Sequence, residues 1–139
     1  MINLCDHMLR SSLKPRVESD LSGRLRMLFP RYALLPDSAR RYLHYVEDIL
    51  KLLPGVREVR VNPRIGTVLV QYDPAVCTSR QILRWVDIVV DTGIEIAHEM
   101  EGAEAKSEAE IASVVRRRLV LRLPQCSGNG KKQEIEEKA

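Results

Sequence analysis

The side chains best suited to chemistry lie far apart along this chain. Cys5-Asp6-His7-Met8 gathers a thiol, a carboxylate, an imidazole and a thioether within one short run. Thiolate, imidazole and thioether are soft and borderline donors, so Cys5, His7 and Met8 could hold a transition metal or a haem iron. Their spacing matches no recognised ligand pattern, and the residues around them show no sustained hydrophobic period. Cys77 precedes Thr78 at the head of a helical run. A helix N-terminus can lower a thiol pKa, although a small residue at a loop–helix junction is the plainer reading. Cys126 stands in polar sequence and reads as an exposed thiol. His44 and His98 have no ligand-type neighbours and read as solvated surface.

Arginines form the other candidate sites. Arg24 and Arg26 alternate with Leu25, Met27 and Phe29, which places them on the opposite face of a strand from its apolar set. With Arg60 they would make a basic patch suited to an acidic partner or a phosphate-bearing ligand. Arg116, Arg117 and Arg118, with Arg122, flank a short apolar stripe. That cluster could pack on the open side of a sheet, meet a second copy in a homo-oligomer, or touch an anionic membrane surface peripherally. Packing is favoured, because the stripe is short.

The elements that must position these groups follow from periodicity. Residues 1–20 read as an N-terminal arm. Ser22 to Phe29 alternates as a half-buried strand, and Pro30 and Pro36 bracket the loop after it. From Asp37, the residues Ala39, Tyr42, Leu43, Val46, Ile49, Leu50 and Leu53 mark one face of a helix that Pro54-Gly55 ends. Val56–Val61 and Thr67–Tyr72 form a hairpin across the turn residues Asn62-Pro63-Arg64-Ile65-Gly66. Thr78 and Gln81 make a capping box for a second helix to Val90, with Ile82, Trp85, Val86 and Val89 as its buried stripe. Gly93 would end that helix, and Ile94 and Ile96 would alternate in a last strand near 93–99. The predicted architecture is α+β, a ferredoxin-like βαββαβ sandwich over residues 21–100, with an antiparallel four-stranded sheet and two helices on one face.

Beyond it, Ser107 and Glu110 cap a third helix near 107–120, within a C-terminal helical extension spanning 101–124. LVLRL could also continue as a strand. Residues 125–139 lack the apolar content to fold alone and are expected to form a disordered tail. Trp85, Tyr42 and Tyr72 are expected in the core.

The run LPGVREVRVNPRIGTVLVQYDP, residues 53–74, resembles the heavy-metal-associated domain family, in its divergent branch beside metal-transporting P-type ATPases. Pro54-Gly55-Val56, Val59, Val61, Asn62-Pro63, Gly66 and Tyr72-Asp73-Pro74 carry the resemblance, with Gly23-Arg24-Leu25-Arg26 before them. Metal carriers of that family place Met-x-Cys-x-x-Cys between the first strand and first helix, two thiolates converging on one soft ion. Here that loop reads PRYALLP, residues 30–36, with no cysteine, histidine or carboxylate. The resemblance therefore implies the fold and a setting in metal transport or storage, without the usual cysteine site.

Bulk properties narrow the rest. The chain has 139 residues, suited to one domain, with 45% hydrophobic and 29% charged residues. A net charge of +3 does not suggest a general polyanion binder. The cysteines number three and no apolar leader or membrane-length run accompanies them, so a reduced, cytoplasmic protein is expected, reaching a membrane only through a partner. No nucleophile–base set, glycine-rich phosphate loop or closely spaced acidic pair points to an enzyme. Nucleic acid is disfavoured because Phe29 and Tyr72 share the apolar set under the helices instead of stacking outward. The expected function is a non-catalytic accessory domain that binds a protein partner, a metal-transporting ATPase or a storage-compartment component. The alternative is direct binding of metal or haem by Cys5, His7 and Met8.

Overall fold

Alternation of charge and apolar residues around Leu25 and Met27 does produce a strand, and it lies inside a sheet. In a computed structural model that describes residues 13–32, 42–100 and 107–126, four strands pair throughout in antiparallel fashion. They are β1 (Arg16–Leu21), β2 (Arg24–Leu28), β3 (Val56–Asn62) and β4 (Thr67–Tyr72), in the spatial order β1-β2-β4-β3. The helices are α1 (Val46–Leu50), α2 (Ser79–Glu99) and α3 (Glu108–Arg122). The fold is α+β, as the periodicity implied.

Two differences change the topology. Residues 16–20, expected in the arm, belong to β1, which forms a tight hairpin with β2. The strand expected near 93–99 is helical, because α2 runs unbroken through Gly93 to Glu99. Gly93 costs the helix about 1 kcal/mol relative to alanine, but apolar spacing carries the helix across it. Trp85, Val89, Thr92 and Ile96 follow steps of four, three and four, one continuous helical face, and Thr92 and Ile96 are both buried. The element order is therefore ββαββαα, with β1 filling the place beside β2 that a closing strand was expected to take.

The hairpin of β3 and β4 forms as expected. Asn62 Oδ1 accepts the Arg64 N–H at 3.0 Å and Asn62 O accepts the Gly66 N–H at 2.9 Å. Gly66 has φ +76°, and a Cβ there would meet Tyr32 at 2.8 Å, so the position requires glycine. Of the helix expected from Asp37, residues 37–41 lie outside the described residues. Its later part is a 3-10 turn at Leu43–Tyr45 running into α1. Tyr42 is half-buried, not core, and its ring stacks on Tyr45.

One core joins the sheet to the helices. Leu25, Met27, Val59, Val68, Val70 and Tyr72 pack against Leu50, Leu53, Ile82, Trp85 and Val86. Trp85 is completely buried, and its indole N–H donates to the Ile49 carbonyl at 3.2 Å. Glu47 of α1 reaches the outer edge of β3, where its carboxylate accepts the Val61 N–H at 3.2 Å. An unpaired donor on that edge is thereby satisfied.

The third helix is the expected one, and LVLRL continues it. Ser107 and Glu110 form a full capping box, each side chain accepting the other's backbone N–H. Against expectation, α3 packs on α2 and leaves the sheet's far side alone. Leu119 is fully buried there, Val115 and Leu123 pack against the same core, and arginine bonds to α2 add to the attachment. Arg118 forks onto Glu99 with bonds of 2.8 and 2.9 Å, while Arg122 reaches Thr92 at 2.7 Å and Glu95 at 2.8 Å. Among the described residues, no helix is long and apolar enough to cross a membrane.

Candidate functional site

Strand register decides which side chains share the face turned away from the helices. Arg26 stands opposite Leu69, and Leu69 opposite Arg60, so one row across β2, β4 and β3 reads Arg-Leu-Arg. The row on one side of it reads Arg24-Gln71-Glu58, and the row on the other side Leu28-Thr67-Asn62. Successive residues of a strand alternate faces, which is why Leu25, Met27, Val59 and Val70 lie in the core while their neighbours face outward. Arg24, Arg26 and Arg60 are all exposed, and Leu69 is half-buried between the latter two.

A shallow depression of about 340 Å³ sits on this face, lined by Arg26, Arg60, Asn62, Pro63, Thr67 and Leu69, with Val61 at its edge. Its charge is partly balanced within the face. Glu18 approaches Arg26 at 3.6 Å, and Glu58 approaches Arg60 at 3.1 Å. Arg24 makes no ion pair with a described residue. Three arginines against two glutamates leave this part of the face net positive. The ion pairs lie in solvent, where each is worth little and can be exchanged for an incoming carboxylate at small cost. What such a surface can do is hold a segment carrying carboxylates at its margins and an apolar side chain at Leu69.

The remaining candidate residues divide sharply. Cys5, His7 and Met8 lie outside the described residues. Arg116 and Arg117 are exposed on α3, whereas Arg118 is committed to Glu99 and Glu95 and holds α3 in place. The two basic groups named from the sequence are thus separate: Arg24, Arg26 and Arg60 come together on the sheet, and the α3 arginines belong to the helical side. His44 is exposed, with Nε2 3.3 Å from Glu108. Among the described residues, no three His, Cys, Asp or Glu side chains converge as a metal site would require.

No family model, curated protein or solved structure matches the chain.

Two thiols are buried on the helical side, and one of them departs from its expected place. Cys126, expected to be exposed, is buried with its Sγ 3.0 Å from the Gln81 carbonyl. Burial pushes its thiol up to about 11, with Arg84 opposing the rise and Cys77 adding to it. Cys77 is likewise buried, and burial, then Asp73, raise its pKa. Desolvation of the thiolate outweighs any help from the helix N-terminus, so neither is an activated nucleophile. The sequence signal for Cys126 was Leu119, Leu123 and Cys126 recurring on one helical face, in a segment whose later polarity hid it.

Proposed function

We propose that this chain is a non-catalytic interaction domain of a metal-handling system, and that its open sheet face receives an acidic, partly apolar segment of a protein partner. The observation that carries the reading is the Arg26-Leu69-Arg60 row, two exposed arginines flanking a half-buried leucine on the face turned away from the core. Support for the setting is the resemblance of residues 53–74 to the heavy-metal-associated family. The sheet order agrees with a ferredoxin-like reading in which β1, from the N-terminal side, stands in for the closing strand. The partner is then a metal-transporting ATPase or a component of a metal-storage compartment, and the chain reaches a membrane through it.

Binding of this kind is driven by apolar contact at Leu69 and steered by the surrounding arginines, so it weakens with salt. A fluorescently labelled peptide alternating Glu and Leu serves as the probe, with a Lys/Leu peptide as control. Saturable binding of the acidic peptide, weakened at high salt and abolished in R26E/R60E, is the expected result. Equal binding of both peptides, or acidic-peptide binding unchanged in R26E/R60E, contradicts the reading.

A further inference from the structure

Cys77 and Cys126 are distant in sequence, yet both are 2% exposed and both belong to the single core cluster. Their positions converge on one turn. Cys77 immediately precedes Thr78, the N-cap of α2. Cys126 follows the 3-10 turn Leu123–Gln125 that closes α3. Gln81, in the first turn of α2, grips it from two sides: the Gln81 carbonyl accepts the Cys126 thiol at 3.0 Å, and Gln81 Nε2 donates to the Cys126 carbonyl at 3.3 Å. The same Gln81 side chain caps the Thr78 N–H at 2.9 Å. The thiol at the end of α3 is therefore fixed over the turn that Cys77 opens, near enough for Cys77 to add to the rise in the Cys126 pKa. Both thiols are free.

We propose that Cys77 and Cys126 are the two halves of a reversible disulfide that clips the end of α3 to the start of α2. The oxidant is a small-molecule disulfide of the glutathione class. One protein thiolate attacks it, forming a mixed disulfide and releasing one small thiol. The second protein thiolate then displaces the other small thiol and closes the Sγ–Sγ bond. Two protons leave the protein thiols, the protein sulfurs give up two electrons, and the small disulfide is reduced to two thiols.

In the reduced state the Cys77 sulfur lies against Gly55, at a point where a Cβ would approach it to 2.8 Å. Closing the bridge turns it toward Cys126. Because both sulfurs are out of water, exchange passes through an opening in which the Leu123–Gln125 turn lifts. This slow step makes the pair a stable two-position clip and not a fast sensor. In the reduced position α3 is held by non-covalent contacts, among them Leu119, the arginine bonds to α2 and the Gln81–Cys126 hydrogen bonds; in the oxidised position it is tethered covalently.

The test is an equilibrium titration of C5S protein in glutathione redox buffers, both native and in concentrated urea, followed by acid quench, alkylation and peptide mass mapping. C5S leaves only the proposed pair to react. The expected product has lost two hydrogens, and its linked peptide joins Cys77 to Cys126. The effective concentration of the pair in the native chain should exceed that in the unfolded chain roughly 100-fold. A native value equal to or below the unfolded one, or glutathione adducts without the bridge, overturns the proposal. Hydrogen exchange supplies a second readout. Amides of Glu108–Arg122 should exchange about 10-fold more slowly in the oxidised form, and unchanged exchange there would refute the clip.

Discussion

The two faces of one sheet are built from alternate residues of the same strands, and they have opposite fates. Leu25, Met27, Val59 and Val70 are sealed under α1 and α2, while Arg24, Arg26, Arg60 and Leu69 on the reverse meet no described helix. The comparison separates duties cleanly. Stability resides on one side, where apolar area leaves water, and contact is available on the other, where removing a charge leaves nothing unsatisfied. Substitutions on the two faces should therefore differ in kind as well as in size.

The largest effect is expected on the helical side. Trp85→Ala empties the centre of the core and frees the Ile49 carbonyl that the indole N–H serves. It should cost about 3–5 kcal/mol in urea unfolding, by cavity and transfer terms together. By contrast Leu69→Ala, on a half-buried site of the open face, should cost under about 1 kcal/mol. Similar costs for the two would mean that the open face is covered.

A smaller and pH-dependent effect is expected where α3 joins α2. The hydrogen bond from Arg118 holds the Glu99 carboxyl below its ordinary value of 4.5, and the one from Arg122 does the same for Glu95. A carboxylate whose folded pKa is depressed contributes stability above its unfolded pKa and loses it as pH falls through the lower folded value. Protection factors in Glu108–Arg122 should therefore drop below about pH 4, ahead of those in β2 and β4. Arg118→Ala should remove most of the Glu99 share of this dependence.

Smallest of all should be the stability change in R26E/R60E, within about 0.5 kcal/mol of the parent chain. Its effect belongs to binding instead, and acidic-peptide affinity should fall at least about 10-fold. Replacing Cys5, His7 and Met8 together with alanine should leave that affinity unchanged. Titration of copper(I), zinc, iron(II) and haem into the parent and the triple variant separates the metal-binding alternative: stoichiometric binding that vanishes in the variant would favour it over partner capture.

Legibility from sequence followed how far each signal was local. The hairpin of β3 and β4, both capping boxes and the exposed arginines of β2 were readable, because turn chemistry and alternation are short-range. The course of α2 past Gly93 was not. Ile94 and Ile96 satisfy a strand's alternation, and only the longer spacing from Trp85 to Ile96, together with the α3 contacts of Thr92, Glu95 and Glu99, favours the helix. β1 was missed for a related reason. In RVESDL a bulge between Val17 and Ser19 breaks the two-residue period, and most of its side chains stay exposed. At the site, the arginine face could be anticipated, whereas the meeting of Cys77 and Cys126 depends on where α3 docks. No pattern along the chain encodes that.

The most direct test of the two-faced account is backbone amide chemical-shift mapping of the acidic Glu/Leu peptide on isotope-labelled protein. The account predicts that shifts concentrate in Arg24–Leu28, Glu58–Asn62 and Thr67–Gln71 and spare α3. Shifts centred on Arg116 and Arg117, or spread evenly over the molecule, would contradict it.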